Sequence, residues 1–144
     1  MKQDKSGFTL MEILVALIII TIMATIVGVN VIRKPGEARI AAAKIQIKAI
    51  QTALQMYKTE QGQLPTQEQG LQALCVPPTI PPIPEHYPDG GYLESQKVPQ
   101  TPWNNDYIYL VPGRNGEPYE LISYGSDGEP GGEGEAADIS SSDL

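Results

Sequence analysis

Apolar side chains fill positions 8–32 almost without a break, and Glu12 is the only charge among those 25 residues. A run of that length suits a bilayer-crossing helix, which takes about 20 apolar residues for roughly 30 Å of hydrocarbon. A carboxylate at the centre of such a helix costs about 2.5–3.5 kcal/mol, and less near an end. Only MKQDKSG precedes the run, and Arg33 and Lys34 follow it. The apolar core is too long for an ordinary secretory signal, and no small-x-small cleavage site closes it. Lys2 and Lys5 on one side balance Arg33 and Lys34 on the other, so basic residues alone leave the orientation open.

Past Pro35 and Gly36 the pattern takes a helical period. Ile40, Ala43, Ile47, Ile50, Leu54 and Tyr57 recur at spacings of 3 and 4 and form one apolar stripe. Lys44, Lys48, Gln51, Gln55 and Lys58 occupy another face. Lys44 and Lys48 repel at i, i+4, so that face meets solvent or acidic neighbours. Gly62 and Pro65 end the helix. The two segments read as one long N-terminal helix, its first half in a membrane or filament core, with a kink or loosened turn at Pro35-Gly36.

Beyond residue 60 the chain is rich in Pro and Gly, which predicts loops and short strands. A short helix over 68–74 would turn Leu71 and Leu74 inward, and the stretch PPTIPPIPEHYPDGGYL predicts an irregular connection. Residues 107–111 read as a strand, GRNGEP as a turn and 119–124 as the returning strand. Trp103 and Tyr107 are candidate core anchors. Tyr107, Tyr109 and Val111 alternate with Ile108 and Leu110, so either strand face could be the covered one. The expected class is α+β, a long helix packed on a small antiparallel sheet of two or three strands.

Charge and rare residues narrow the chemistry. The net charge is −7 and no basic patch stands out, which argues against nucleic-acid binding. A single cysteine, Cys75, makes no intrachain disulfide and reads as a small packed residue, and the single histidine, His86, reads as solvated. The last stretch, SYGSDGEPGGEGEAADISSSDL, places five glycines and five acids before Ile139. It reads either as a solvated tail or as a Ca²⁺ site, since calcium takes six to eight oxygens and often mixes carboxylates with carbonyls of a tightly turned loop. The spacing is not that of an EF-hand.

Four motifs, in order along the chain, carry a family resemblance. KSGFTLMEILVAL resembles the class III signal of type IV pilin-like proteins. LPTQEQGL resembles the P-T-x-x-Q-G-L segment of the type II secretion major pseudopilins, and TPWNNDYIYL resembles their P-W-G-N-x-Y-x-Y stretch. SYGSDGEPGGEGEAADI resembles their calcium loop. The resemblance implies cleavage after Gly7 by a prepilin peptidase, N-methylation of Phe8, and an assembly role for Glu12. The acid would neutralise the new Phe8 amine of a neighbouring subunit and set register; such buried pairs are good at fixing register and weak as net stability. It also implies a Ca²⁺ held by Asp127 and Asp138, the carbonyl of Tyr124 and oxygens of 126–134, with Ser126 and Glu133, and also Glu135, as weaker candidates.

The implied organisation is a leader at 1–7, a transmembrane and filament-core helix at 8–34, and a periplasmic pseudopilin domain at 35–144 with the type IV pilin-like α+β fold. The implied protein is a single-pass inner-membrane chain, not an enzyme, that polymerises in the periplasm as the major subunit of a secretion pseudopilus. Its partners would be copies of itself, minor pseudopilins, the prepilin peptidase, the inner-membrane assembly platform and the membrane. Two other readings stand beside it. One is a pilin of an adhesion or DNA-uptake filament, many of which end in a disulfide-bounded loop. The other is a membrane-tethered calcium-binding domain that stays monomeric. The chain departs from the family at Gly28-Val29-Asn30, where a proline is common, and at the terminal SSSDL, where a tryptophan is common.

Overall fold

Thr9 opens α1 (Leu10–Gln61), the single α-helix among the described residues, which runs through Pro35 and stops where Gly62 takes a φ of 76°. The computed structural model describes residues 8–144, without the side chains of 25–34. The leader 1–7 with its Gly7 cleavage position lies outside the described residues, as do the side chains around Gly28. The chain divides into two compact units, residues 1–36 and 37–144.

In the first unit, residues 8–24 are all exposed: Phe8 and Leu10 at 83% and Ile22 still at 55%. Apolar side chains point outward all round this part of α1, with nothing among the described residues of the unit to cover them. Among the described residues, no helix is long and apolar enough to cross a membrane.

The second unit is organised by the stripe the periodicity marks. Ala43, Ile47, Ile50, Leu54 and Tyr57 are all buried, with Ile40 packed at the margin. They pack in one core with a three-stranded antiparallel sheet in the order β1 (Ile108–Leu110), β2 (Glu120–Ser123), β3 (Ile139–Ser140). Tyr109 faces Leu121 across β1 and β2, and Ser123 faces Ile139 across β2 and β3. The question of the strand's covered face is settled: Tyr107 and Tyr109 are buried, while Ile108 and Leu110 are only partly covered. Each tyrosine body fills the core while its hydroxyl finds a partner. Tyr107 donates to Gln46 Oε1 at 2.5 Å and Tyr109 to the Pro65 carbonyl at 2.9 Å.

Three local expectations are refined. Residues 67–70 form a turn, and only Leu71–Leu74 form a short 3-10 helix, because Gly70 sits at φ 60° and breaks the run. Leu71 and Leu74 still point inward. Trp103 packs on the core edge half-buried, its indole N–H donating to Glu135 Oε2 at 3.4 Å. Cys75 is a free, buried thiol whose pKa is raised by burial.

Candidate assembly and cation sites

The first turn of a helix leaves backbone N–H groups without intrahelical acceptors. At α1 the residues Thr9 and Glu12 satisfy two of them reciprocally. Glu12 N–H donates to Thr9 Oγ1, while Thr9 N–H and Thr9 Oγ1 both donate to Glu12 Oε2, each at 3.2 Å. This is a capping box, and the helix dipole also favours an acid there. The T-x-x-E spacing was the available signal; reading Glu12 only as an acid in need of an amine overlooks it. Both side-chain contacts use Oε2, and the carboxylate stays exposed.

The second site is the loop between β2 and β3. It closes on itself: Ser126 N–H donates to the Glu135 carbonyl at 2.9 Å and Gly128 N–H to the Tyr124 carbonyl at 3.1 Å. Gly125 and Gly132 both lie at positive φ against the Glu135–Ala136 backbone, where a Cβ would come within 2.6 Å and 2.5 Å of other atoms. No side chain fits either place. Asp127 Oδ1 accepts from Glu129 N–H at 3.2 Å, and Asp138 Oδ1 accepts from Gly131 N–H at 3.0 Å, so each Asp is oriented by the loop it would serve. Asp138 is half-buried; Asp127, Ser126 and Glu133 are exposed. Glu135 turns away to Trp103 and, at 4.0 Å, to Arg39.

Among the described residues, no group of three acids, histidines or cysteines converges as a metal cluster. The two Asp carboxylates and the carbonyls of this glycine-turned loop are oxygen donors only. That set fits a hard cation such as Ca²⁺ if backbone carbonyls complete the shell, and it does not suit softer metals.

The end of the loop is anchored by a group that pattern reading missed. Glu120 in β2 is only 1% exposed, yet charged. Arg114 grips it from the hairpin turn with Nε at 2.9 Å and Nη2 at 2.7 Å, and Ser140 Oγ in β3 donates to it at 2.8 Å. The Arg114 hydrogen bonds outweigh desolvation and, with help from Ser140, hold the carboxyl down at about 2 against an ordinary 4.5. Ser141 Oγ accepts from Leu121 N–H at 2.9 Å. The serine run therefore docks the tail by hydrogen bonds. The signal in the sequence was an acid inside the apolar strand YELIS, six residues after an arginine. Asn104, where the family's P-W-G-N carries glycine, sits at φ 63°, the left-handed region that asparagine tolerates better than most residues.

A long N-terminal helix with an uncovered, capped apolar start, followed by a helix-on-sheet unit with a glycine-turned acidic loop, defines a type IV pilin-like subunit. The solved major pseudopilin of the type 2 secretion system of enterohaemorrhagic Escherichia coli is similar in structure, with a TM-score of 0.66 and 34% identity, covering 80% of this chain and 96% of that one. Residues 2–28 match the prokaryotic N-terminal methylation motif, and residues 30–142 match the family of type II secretion system protein G. Type II secretion system core protein G of Pseudomonas aeruginosa is 44% identical over 138 residues, 96% of this chain and 95% of that protein. Its counterpart in Vibrio cholerae is 41% identical over 137 residues, 95% of this chain and 91% of that protein. The chain belongs to the type II secretion system protein G family.

Proposed function

We propose that this chain is the major structural subunit of a type II secretion pseudopilus, stored in the inner membrane and polymerised in the periplasm, with no catalytic role. The observation that carries this reading is the uncovered apolar helix that starts at a capped carboxylate. Such a surface needs lipid before assembly and other copies after it. The apolar run continues in the sequence to Ile32, long enough to span a bilayer. Cleavage after Gly7 would give Phe8 a cationic amine, and Glu12 of the next copy is its partner in this reading. The prepilin peptidase, the assembly platform and the minor pseudopilins are the partners such a subunit requires. The pilus alternative is less favoured, because the relatives that match over most of the chain carry a secretion name.

Calcium belongs to the same proposal. Asp127, Asp138 and the Tyr124 carbonyl would hold it, with Ser126 and Glu133 at the margin, and its chemistry is the neutralisation of a loop that gathers acids. Two measurements test the reading. Cysteines placed at Met11 and Ile18 should cross-link copies into ladders in cells; a monomer only would sink the polymer. Chelation should lower the melting temperature of residues 37–144, by roughly 2.7 kcal/mol of stability if calcium stands at about 100 times its Kd. An unchanged melting temperature, or an equal response in Asp127→Ala, would remove the site.

A further inference from the structure

Among the described residues, β1 has β2 on one side and no strand on the other. Edge strands expose backbone groups that can pair with another chain, and proteins blunt them with charges, prolines or covering side chains. Here the covering group is a single residue. Gln67 Nε2 donates to the Tyr109 carbonyl at 2.7 Å, and Gln67 Oε1 accepts from Val111 N–H at 2.9 Å. One primary amide thus occupies an outward acceptor, Tyr109 C=O, and an outward donor, Val111 N–H, that a fourth strand would otherwise use.

Little else protects this edge. Gln67 is itself exposed. The adjoining open groove, about 1000 Å³, includes Gln72, Lys97, Gln100 and Asp106 in its lining. One basic and one acidic side chain leave no like-charge field to hold a second chain away.

We propose that Gln67 is an edge guard, which keeps β1 from pairing with β1 of a second copy of this chain. A second copy is the occupant it excludes because antiparallel pairing of like edges is self-complementary about a two-fold axis. The need for a guard rests on the polymerisation reading, which crowds copies together. The geometry of the guard does not.

The test uses the full chain in detergent micelles, comparing wild type, Gln67→Ala and Gln67→Asn, whose amide is one methylene too short to reach. In dilute samples the Val111 amide should exchange with solvent about five- to tenfold faster in both variants, the factor for one lost hydrogen bond. In concentrated samples the variants should form dimers and larger species that wild type does not. Adding Val111→Pro, which deletes the outward donor without touching the β2 ladder, should return Gln67→Ala to the size of wild type. Equal Val111 exchange in wild type and both variants would overturn the proposal, because the contact would not exist in solution. Faster exchange with unchanged size at every concentration would overturn it as well. Neither result bears on the cross-linking ladders of the N-terminal helix, which judge the pseudopilus reading separately.

Discussion

Thr9 with Glu12 and Thr66 with Gln69 are the same device in two settings. In both, the threonine Oγ1 accepts from the backbone N–H three residues on, and the longer side chain reaches back to the threonine N–H. Gln69 is buried and neutral, and its Nε2 also donates to the carbonyls of Ile80 and Pro82 at 2.7 Å and 2.9 Å. It ties the proline-dense connection to the body of the second unit. Glu12 is exposed and acidic, the only charge in the run 8–32. A buried cap must be neutral and fully bonded, because an unpaired buried charge shifts or breaks the fold. An amide would cap as well; the charge itself suits the helix dipole, and the assembly contact proposed above would give it a second use.

The comparison can be broken most forcefully at Glu12. Glu12→Gln keeps the cap and deletes the charge. It should leave helicity by circular dichroism unchanged while cross-linked ladders largely disappear, since an unpaired partner in such a contact costs about 3–5 kcal/mol. Ladders as abundant as in wild type would mean that the cap is all Glu12 does.

At the buried counterpart, Gln69→Ala removes the acceptor for Thr66 N–H and the donor for two carbonyls. Denaturant unfolding of residues 37–144 should show a loss of about 2–4 kcal/mol, from one to three kcal/mol per stranded buried group with partial access of water.

Glu120 sharpens the contrast, being a buried acid that carries its own cation in the chain. Glu120→Gln should cost about 1–3 kcal/mol at pH 7, the range for hydrogen bonds to charged groups. Its folded pKa lies below its ordinary value, so its stabilisation is fully present above about 4.5 and is lost as pH falls towards about 2. Unfolding curves between pH 7 and 2 should therefore converge for wild type and Glu120→Gln at the acid end.

The smallest effect is expected at Asn104, which tests backbone conformation alone. Asn104→Gly should be neutral or stabilise by up to about 1 kcal/mol, whereas Asn104→Val should destabilise at that φ.

These cases also mark what sequence alone could reveal. The stripe from Ile40 to Tyr57 was legible because a period of 3.6 has one covered face. β1 was ambiguous because both of its faces are apolar, and only packing in the core shared with the α1 stripe decides for Tyr107 and Tyr109. Gln67 was illegible in its role, since its partners stand 42 and 44 residues away, and Glu120 was legible only towards Arg114, six residues before it, and not towards Ser140 in the third strand. The acidic loop was legible as a set of residue types. Its geometry was not, because the groups that close it are backbone carbonyls and N–H groups, which residue identity does not encode.

The buried sulfur of Cys75 gives this molecule a built-in clock. It is the only thiol in the chain, it is walled in beside the short 3-10 helix, and burial pushes its pKa up. A thiol reagent can reach it only when that wall opens. The rate at which it is labelled therefore counts openings of the second unit, with no engineered probe, and does so in the same cells in which the chain assembles.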